Sequence, residues 1–102
     1  NSQRTIRVAF NTSHQKLQQI PTLVRDVVDE DPQLKFEKCE FLSISEFSYD
    51  FKLKFMGDHQ HLSDFQKSVD AMNQRLVLTL RNNDIEIPYP TTRWINSNDR
   101  QR

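Results

Sequence analysis

The chain has 102 residues, and fourteen Lys and Arg are balanced by fourteen Asp and Glu, so the formal net charge is zero. This length supports one hydrophobic core and excludes two. A neutral chain also lacks the basic footprint expected of a nucleic-acid binder or a polybasic membrane-surface module.

The low numbers of glycine and cysteine exclude further classes of protein. One glycine is too few for a P-loop or a dinucleotide fingerprint. Cys39 is the one cysteine, which excludes an internal disulfide and a cysteine zinc site and fits a reducing, cytosolic setting. No apolar run approaches the roughly 18 residues of a membrane span, and no signal peptide is visible. Because the chain begins at Asn1 rather than Met, we expect a fragment of a longer protein.

The first half of the chain predicts a strand and then a helix. Polar and apolar residues alternate over Arg4–Phe10, which predicts a strand with one wet face. Ser13 and its two polar predecessors can cap the helix that follows. Pro21 either kinks that helix or begins it, and we favour a continuous, kinked helix that ends at Asp29–Pro32. Its apolar stripe is Leu17, Ile20, Val24, Val27 and Val28.

The next two segments predict a β-hairpin. The alternation from Leu34 shifts phase before Ile44, which predicts a β-bulge near Glu37-Lys38 or near Leu42. Only Ser45-Glu46 separates this strand from the next, so the two are expected to be antiparallel neighbours. The next strand is the clearest, and its apolar residues are expected to face the helices: Phe47, Tyr49, Phe51, Leu53 and Phe55.

A second helix and a short last strand complete the domain, expected over residues 1–90. The helix is expected to be capped by Ser63, and Ile85–Ile87 forms the strand before Pro88 stops it. The order β-α-β-β-α-β predicts an α+β, ferredoxin-like domain with a four-stranded antiparallel sheet and both helices on one face. The predicted core is Ile6, Val8, Phe10, Leu17, Val24, Val27, Phe51, Leu53, Phe65, Val69, Met72, Leu76 and Leu80.

The run Ile85-Glu86-Ile87-Pro88-Tyr89-Pro90 resembles the end of the cytoplasmic α/β domain of bacterial small-conductance mechanosensitive channels, the MscS family. The helix segment Ile20–Arg25, the entering strand Arg4–Thr12 and the aromatic third strand are also similar to that family. The resemblance implies a non-enzymatic, cofactor-free channel domain on the cytoplasmic side of the bacterial inner membrane. It further implies a homo-oligomeric, heptameric cage with solute portals beneath a transmembrane pore.

Candidate chemical sites are sparse. His59 and His61, next to Asp58, could ligate a metal, but a polar connector is favoured because further ligands are missing nearby. Cys39 lies in apolar alternation, which favours a half-buried residue over a nucleophile. The carboxylates Asp26, Asp29, Glu30 and Asp31 are expected to be solvated, with no partner base.

The aromatic strand invites comparison with RNA-binding sheets. Charged residues rather than glycine separate Tyr49, Phe51 and Phe55, so we interpret these rings as core and expect no nucleic-acid partner.

Three residues are candidates for contacts between subunits. Leu78 points nearly opposite the apolar stripe of its helix, so it is either an isolated exposed leucine or a contact. Trp94 and Ile95 lie in the tail, residues 91–102, which is β-prone but follows two prolines. In the resembling family this segment can enter a small parallel barrel between subunits.

Two rival functions stay open on the sequence. One is a ferredoxin-like regulatory module that binds a small ligand, and the other is a weak RNA-binding domain. For the channel reading we expect the isolated chain to be monomeric or weakly associated, because other parts of the parent would also hold the oligomer.

Trp94 fluorescence tests the tail hypothesis. In the dilute monomer we expect red-shifted emission that is open to a soluble quencher, because the tail is expected to pair with other subunits. Blue-shifted, quencher-protected emission in the monomer would mean that the tail packs on its own domain.

Overall fold

The computed structural model describes residues 2–88, in the element order β-α-β-β-α. The architecture is α+β, as the sequence predicts, and residues 91–102 with Trp94 and Ile95 lie outside the described residues. The strands are β1 (Ser2–Ala9), β2 (Leu34–Ile44) and β3 (Ser48–Gly57), and the helices are α1 (His14–Asp29) and α2 (Leu62–Asn82).

The three strands form one antiparallel sheet in the order β1-β3-β2. The predicted hairpin of β2 and β3 is confirmed. The register between them shifts between Phe36 and Lys38 and again between Phe41 and Ser43. The sequence predicted a bulge at one of these places, and the structure has both. Each bulge restores the phase that returns apolar residues of β2 to the face where Phe36 and Cys39 meet the core.

The core forms on one face of the sheet, under both helices. Alternate residues of β3 point to this face, and Phe51, Leu53 and Phe55 are at most 1% exposed. Burying a phenylalanine or leucine side chain contributes about 1.5–3 kcal/mol, so these three positions are a large part of the stabilisation. The helices contribute a single stripe each to the same cluster: Ile20, Val24, Val27 and Val28 from α1, and Val69, Met72, Leu76 and Leu80 from α2.

Two predicted inward-facing residues are exposed instead. Phe10 is 43% exposed because β1 already ends at Ala9, and Phe47 is 50% exposed because it lies in the hairpin loop before β3 begins. Both positions continue the alternation of a strand past its last paired residue. The alternation identifies a face correctly, but it does not say where the packed part of that face ends.

The N-cap of α1 is the one predicted from the sequence, whereas the N-cap of α2 is not. Ser13 is the N-cap of α1, and its Oγ accepts a hydrogen bond from the N–H of Lys16 at 3.3 Å. The expected cap at Ser63 is wrong: the N-cap of α2 is His61, two residues earlier, and it makes no side-chain capping bond. Helix α1 is continuous through Pro21.

The predicted last strand, Ile85–Ile87, is not formed in the described part of the chain. The segment approaches β1 and makes one backbone hydrogen bond, from the N–H of Ala9 to the carbonyl of Glu86 at 2.9 Å. Bonded pairs in an antiparallel ladder recur every second residue, so the next pair would set Pro88 against Arg7. Proline has no N–H to donate, so the ladder lacks its next bond. The described sheet therefore has three strands.

A Schellman turn ends α2 and directs the chain toward β1. The N–H of Ile85 donates to the carbonyl of Leu80 at 2.9 Å, and the N–H of Asp84 donates to the carbonyl of Arg81 at 3.0 Å. Ile85 and Leu80 are both buried, which is the hydrophobic contact that accompanies this motif. Asp84 sits at the left-handed position with a φ of 56°.

Substitutions at Asp84 should act in opposite directions. Asp84→Gly is expected to raise the free energy of unfolding by about 0.5 kcal/mol or more, because glycine adopts this φ without steric cost. Asp84→Ile should lower it by about 1–2 kcal/mol, because a β-branched side chain is strained there. Urea unfolding of both variants measures this. Shifts in the same direction would contradict the turn described here.

Candidate interaction surfaces

An apolar patch lies exposed at the hairpin end of the sheet. We call Phe10, Phe41, Ile44 and Tyr49 the hairpin patch. The Tyr49 ring lies edge-on to both phenylalanine rings, with centroids 4.9 Å from Phe10 and 5.8 Å from Phe41. Ile44 is the cross-strand partner of Tyr49 and is 71% exposed. Phe10 and Phe41 are 43% and 46% exposed. Exposed apolar groups held together in this way mark an interaction surface.

The sequence did not reveal the hairpin patch as a surface. Phe10 and Tyr49 follow the alternation of the inward face, which predicts that helices cover them. Phe41 in fact lies directly opposite buried Phe51 in the register. Residues 2–88 provide no helix over this end of the sheet. The available signal was the clustering of Phe41, Ile44 and Phe47 around the loop, since a hairpin tip is the part of a sheet that helices cover least.

Asp50 anchors the opposite face of the same hairpin and is only 4% exposed. Its carboxylate accepts hydrogen bonds from the Ser48 hydroxyl at 2.6 Å, the Ser43 hydroxyl at 3.4 Å and the Ser45 hydroxyl. Arg7 of β1 reaches the carboxylate at 3.7 Å from the other side. The cluster ties all three strands together across this face. Because the serine hydroxyl groups already donate to the carboxylate oxygens, we interpret the cluster as stabilising the hairpin rather than as a ligand-binding site.

These contacts act on the Asp50 carboxyl in opposite directions. Burial by itself raises the pKa of Asp50, whereas the hydroxyl bonds of Ser45 and Ser48, the Arg7 guanidinium and the Ser43 hydroxyl lower it. The net effect is a pKa below the ordinary value for an aspartate.

A groove of about 420 Å³ runs between the free edge of β1 and helix α2. Residue Ile6 forms one wall, Leu76 and Leu80 form the other, and Ile87 and Pro88 close one end. In an antiparallel strand, the backbone N–H and C=O groups of every second residue point to the same edge. The N–H of Ala9 points away from β3 and bonds to Glu86, so the backbone groups of Thr5 and Arg7 point to this outer edge as well. Within the part of the chain that the structure describes, the groove is thus an apolar cleft beside a sheet edge along which no further strand is paired.

The residues singled out from sequence are well separated. Leu78 is 59% exposed on α2, so its predicted orientation is confirmed. Cys39 is half-buried against the core, and burial, with a contribution from Glu40, raises the pKa of its thiol to about 11. A thiol with that pKa is protonated at neutral pH and is a poor nucleophile. Tyr49, Phe51 and Phe55 lie on the helix-covered face, as predicted.

The two histidines have different surroundings. His59 is half-buried, with its Nε2 2.8 Å from the Ser68 hydroxyl and its ring edge-on to Phe65. His61 is exposed and serves as the N-cap residue of α2. Residues 2–88 contain no group of three or more metal-ligating side chains arranged to hold an ion. His59 therefore acts in packing, by holding the loop after β3 against α2.

Comparison with known proteins adds no assignment: no protein-family model and no curated protein matches the chain. Among the described residues, no helix is both long enough and apolar enough to cross a membrane.

The Asp50 cluster makes a pH-dependent prediction. At neutral pH, Asp50→Asn should lower the free energy of unfolding by about 1–3 kcal/mol, because three hydroxyl groups and Arg7 lose their charged acceptor. The pKa of Asp50 is lower in the folded state, so its stabilisation is present above the unfolded pKa of about 3.9 and is lost as pH falls through the folded value. The gap between variant and wild type should therefore shrink in acid.

Urea unfolding at several pH values measures that gap. Glu46→Gln, which changes an exposed acid in the same hairpin, is the control and should stay within about 0.5 kcal/mol of wild type. A gap that is constant from neutral pH to about pH 2 would contradict the role given to the Asp50 charge.

Proposed function

We propose that the chain is a cytoplasmic α/β domain of a small-conductance mechanosensitive channel, of ferredoxin-like type, with residues 85–88 in place of the fourth strand. The observation that supports the proposal is the path of the chain after α2. The Schellman turn after α2 sends Ile85, Glu86, Ile87 and Pro88 back along β1, and this is the run whose sequence resembles the channel family. The β-α-β-β-α order before it agrees with that resemblance.

The role proposed is assembly rather than catalysis. In a homo-oligomeric cage, each domain needs surfaces that are apolar and exposed in the isolated chain. Leu78 on α2 and the hairpin patch have these properties. The heptameric state, the cytoplasmic side of the inner membrane and a barrel contact through Trp94 and Ile95 belong to the same proposal and rest on the family resemblance.

The groove beside β1 supports a second candidate, a regulatory module that binds a small ligand. Its volume of about 420 Å³ lies within the roughly 300–1,000 Å³ of ligand pockets, and much of its lining is apolar. Such a module would need no membrane spans in its parent protein. Its ligand would cover Ile87, which is 43% exposed at the end of the groove, and would raise the melting temperature of the isolated chain.

The channel proposal is tested with the complete gene that encodes this chain. The proposal requires several apolar segments of about 20 residues elsewhere in that gene. Expressed in a bacterium whose mechanosensitive channels are deleted, the gene should restore survival of sudden dilution and give tension-activated currents in membrane patches. A gene without such segments, or one that inserts in the membrane without restoring survival, would contradict the proposal.

A charge at Leu78 tests the assembly role in the same cells. Leu78→Glu should lower the surviving fraction and the yield of intact oligomer, because it places a carboxylate in an apolar contact. The matched control is Gln66→Glu, an exposed change about 120° around the same helix from Leu78, which should have no effect. Equal loss in both variants, or in neither, would exclude Leu78 as a subunit contact.

A further inference from the structure

The face of the sheet away from the helices carries most of its charge as lysine. The strand register places Lys35, Lys38, Lys52 and Lys54 on this face, which we call the lysine face. Lys35 and Lys38 are exposed, and no element of residues 2–88 packs over them. In a chain with zero net charge, this is a local excess of positive charge.

The arrangement is unfavourable in the isolated chain. Lys38 and Lys54 are direct cross-strand partners, and like charges at such positions destabilise an antiparallel pair. Glu40 relieves part of this, since its carboxylate lies 3.4 Å from the Lys38 amine and Glu40 is the cross-strand partner of Lys52. A partner that brings negative charge to this face would remove the remaining repulsion.

The same chain carries the opposite arrangement at the end of α1. Asp26, Asp29, Glu30 and Asp31 crowd the last turn and the residues after it, and the last turn contains no basic residue. The carboxyl end of a helix is the negative end of its dipole, so acids there are also unfavourable. Two arginines offset part of this charge: Arg25 pairs with Asp26 at 3.2 Å, and the Nε of Arg75 on α2 lies 3.7 Å from Glu30.

We propose that the lysine face of one copy of the chain docks against the acidic end of α1 in a second copy. Each surface has the charge that the other lacks, and the two lie on different layers of the domain, so the contact is head-to-tail. A head-to-tail contact repeats from copy to copy and closes into a ring when the rotation allows. The contact names surfaces for the self-association that the channel proposal also requires, and it is tested below on the isolated domain, so that its failure would leave the channel test unaffected.

Two physical arguments define the partner and the strength of the contact. Nucleic acid is disfavoured because sheets that bind RNA stack bases on aromatic rings, and the aromatic residues of β3 lie on the face opposite the lysine face. Exposed ion pairs are worth about 0–1 kcal/mol each. The contact is therefore weak between free copies and becomes effective where tethering raises the local concentration.

Zero-length cross-linking of amines to carboxylates tests the contact on this chain. Unlabelled and ¹⁵N-labelled copies are mixed, treated with a carbodiimide and mapped by mass spectrometry. We expect mixed-isotope links that join Lys35 or Lys38 to acids within residues 26–31, and we expect these links to disappear in high salt. Links spread evenly over the lysines, Lys67 of α2 included, would overturn the proposal.

Charge reversal supplies the matched variants. Lys35→Glu with Lys38→Glu should abolish the links to residues 26–31, and Lys67→Glu, an exposed reversal on α2, should leave them intact. Asp26→Lys with Asp29→Lys should also abolish links to wild type, while mixing it with the lysine-reversed variant should restore association. Thermal unfolding confirms that each variant is folded. Failed restoration, or salt-sensitive binding of a labelled RNA by the lysine face, would contradict the proposed partner.

Discussion

The alternation of β3 at the centre of the sheet is the constraint on which the rest of the structure depends. Side chains of a strand point to opposite faces in turn, so one register decides both surfaces. Phe51, Leu53 and Phe55 all face the helices and are fully buried. The alternate residues Asp50, Lys52 and Lys54 necessarily face the other way, which places Asp50 beside the serine hydroxyl groups and Lys54 opposite Lys38. A slip of one residue would exchange the two sets.

The edges of the sheet follow from the residues beside β3. On one side, β2 keeps its apolar residues in phase only by means of two bulges. On the other side, within residues 2–88, β1 has a single bond to the returning chain, because Pro88 has no N–H for the next rung. Sheet edges next to apolar surface favour contacts with other chains. This edge is a physical argument for the assembly role proposed above.

The sequence predicted most helices and strands correctly, but it did not predict which part of the sheet the helices cover. Spacing identified α1, α2, the hairpin and the Ser13 cap, because these depend on periodicity and local chemistry. It misplaced Phe10 and Phe47, because alternation identifies a face but not the extent of the helices over it. It also predicted a strand at Ile85–Ile87, where the missing donor of Pro88 outweighs two well-placed isoleucines. The lysine face and the Asp50 cluster could not be predicted, because each depends on the cross-strand register.

Amide hydrogen exchange of the isolated chain, followed residue by residue by NMR, tests the three-stranded arrangement most directly. In this arrangement, the amides of Ile6 and Val8 bond to β3, whereas those of Thr5 and Arg7 point to the open edge. We therefore predict slow exchange at Ile6 and Val8 and fast exchange at Thr5 and Arg7. Equal protection of all four amides would show that a further strand covers β1, and would contradict the open edge.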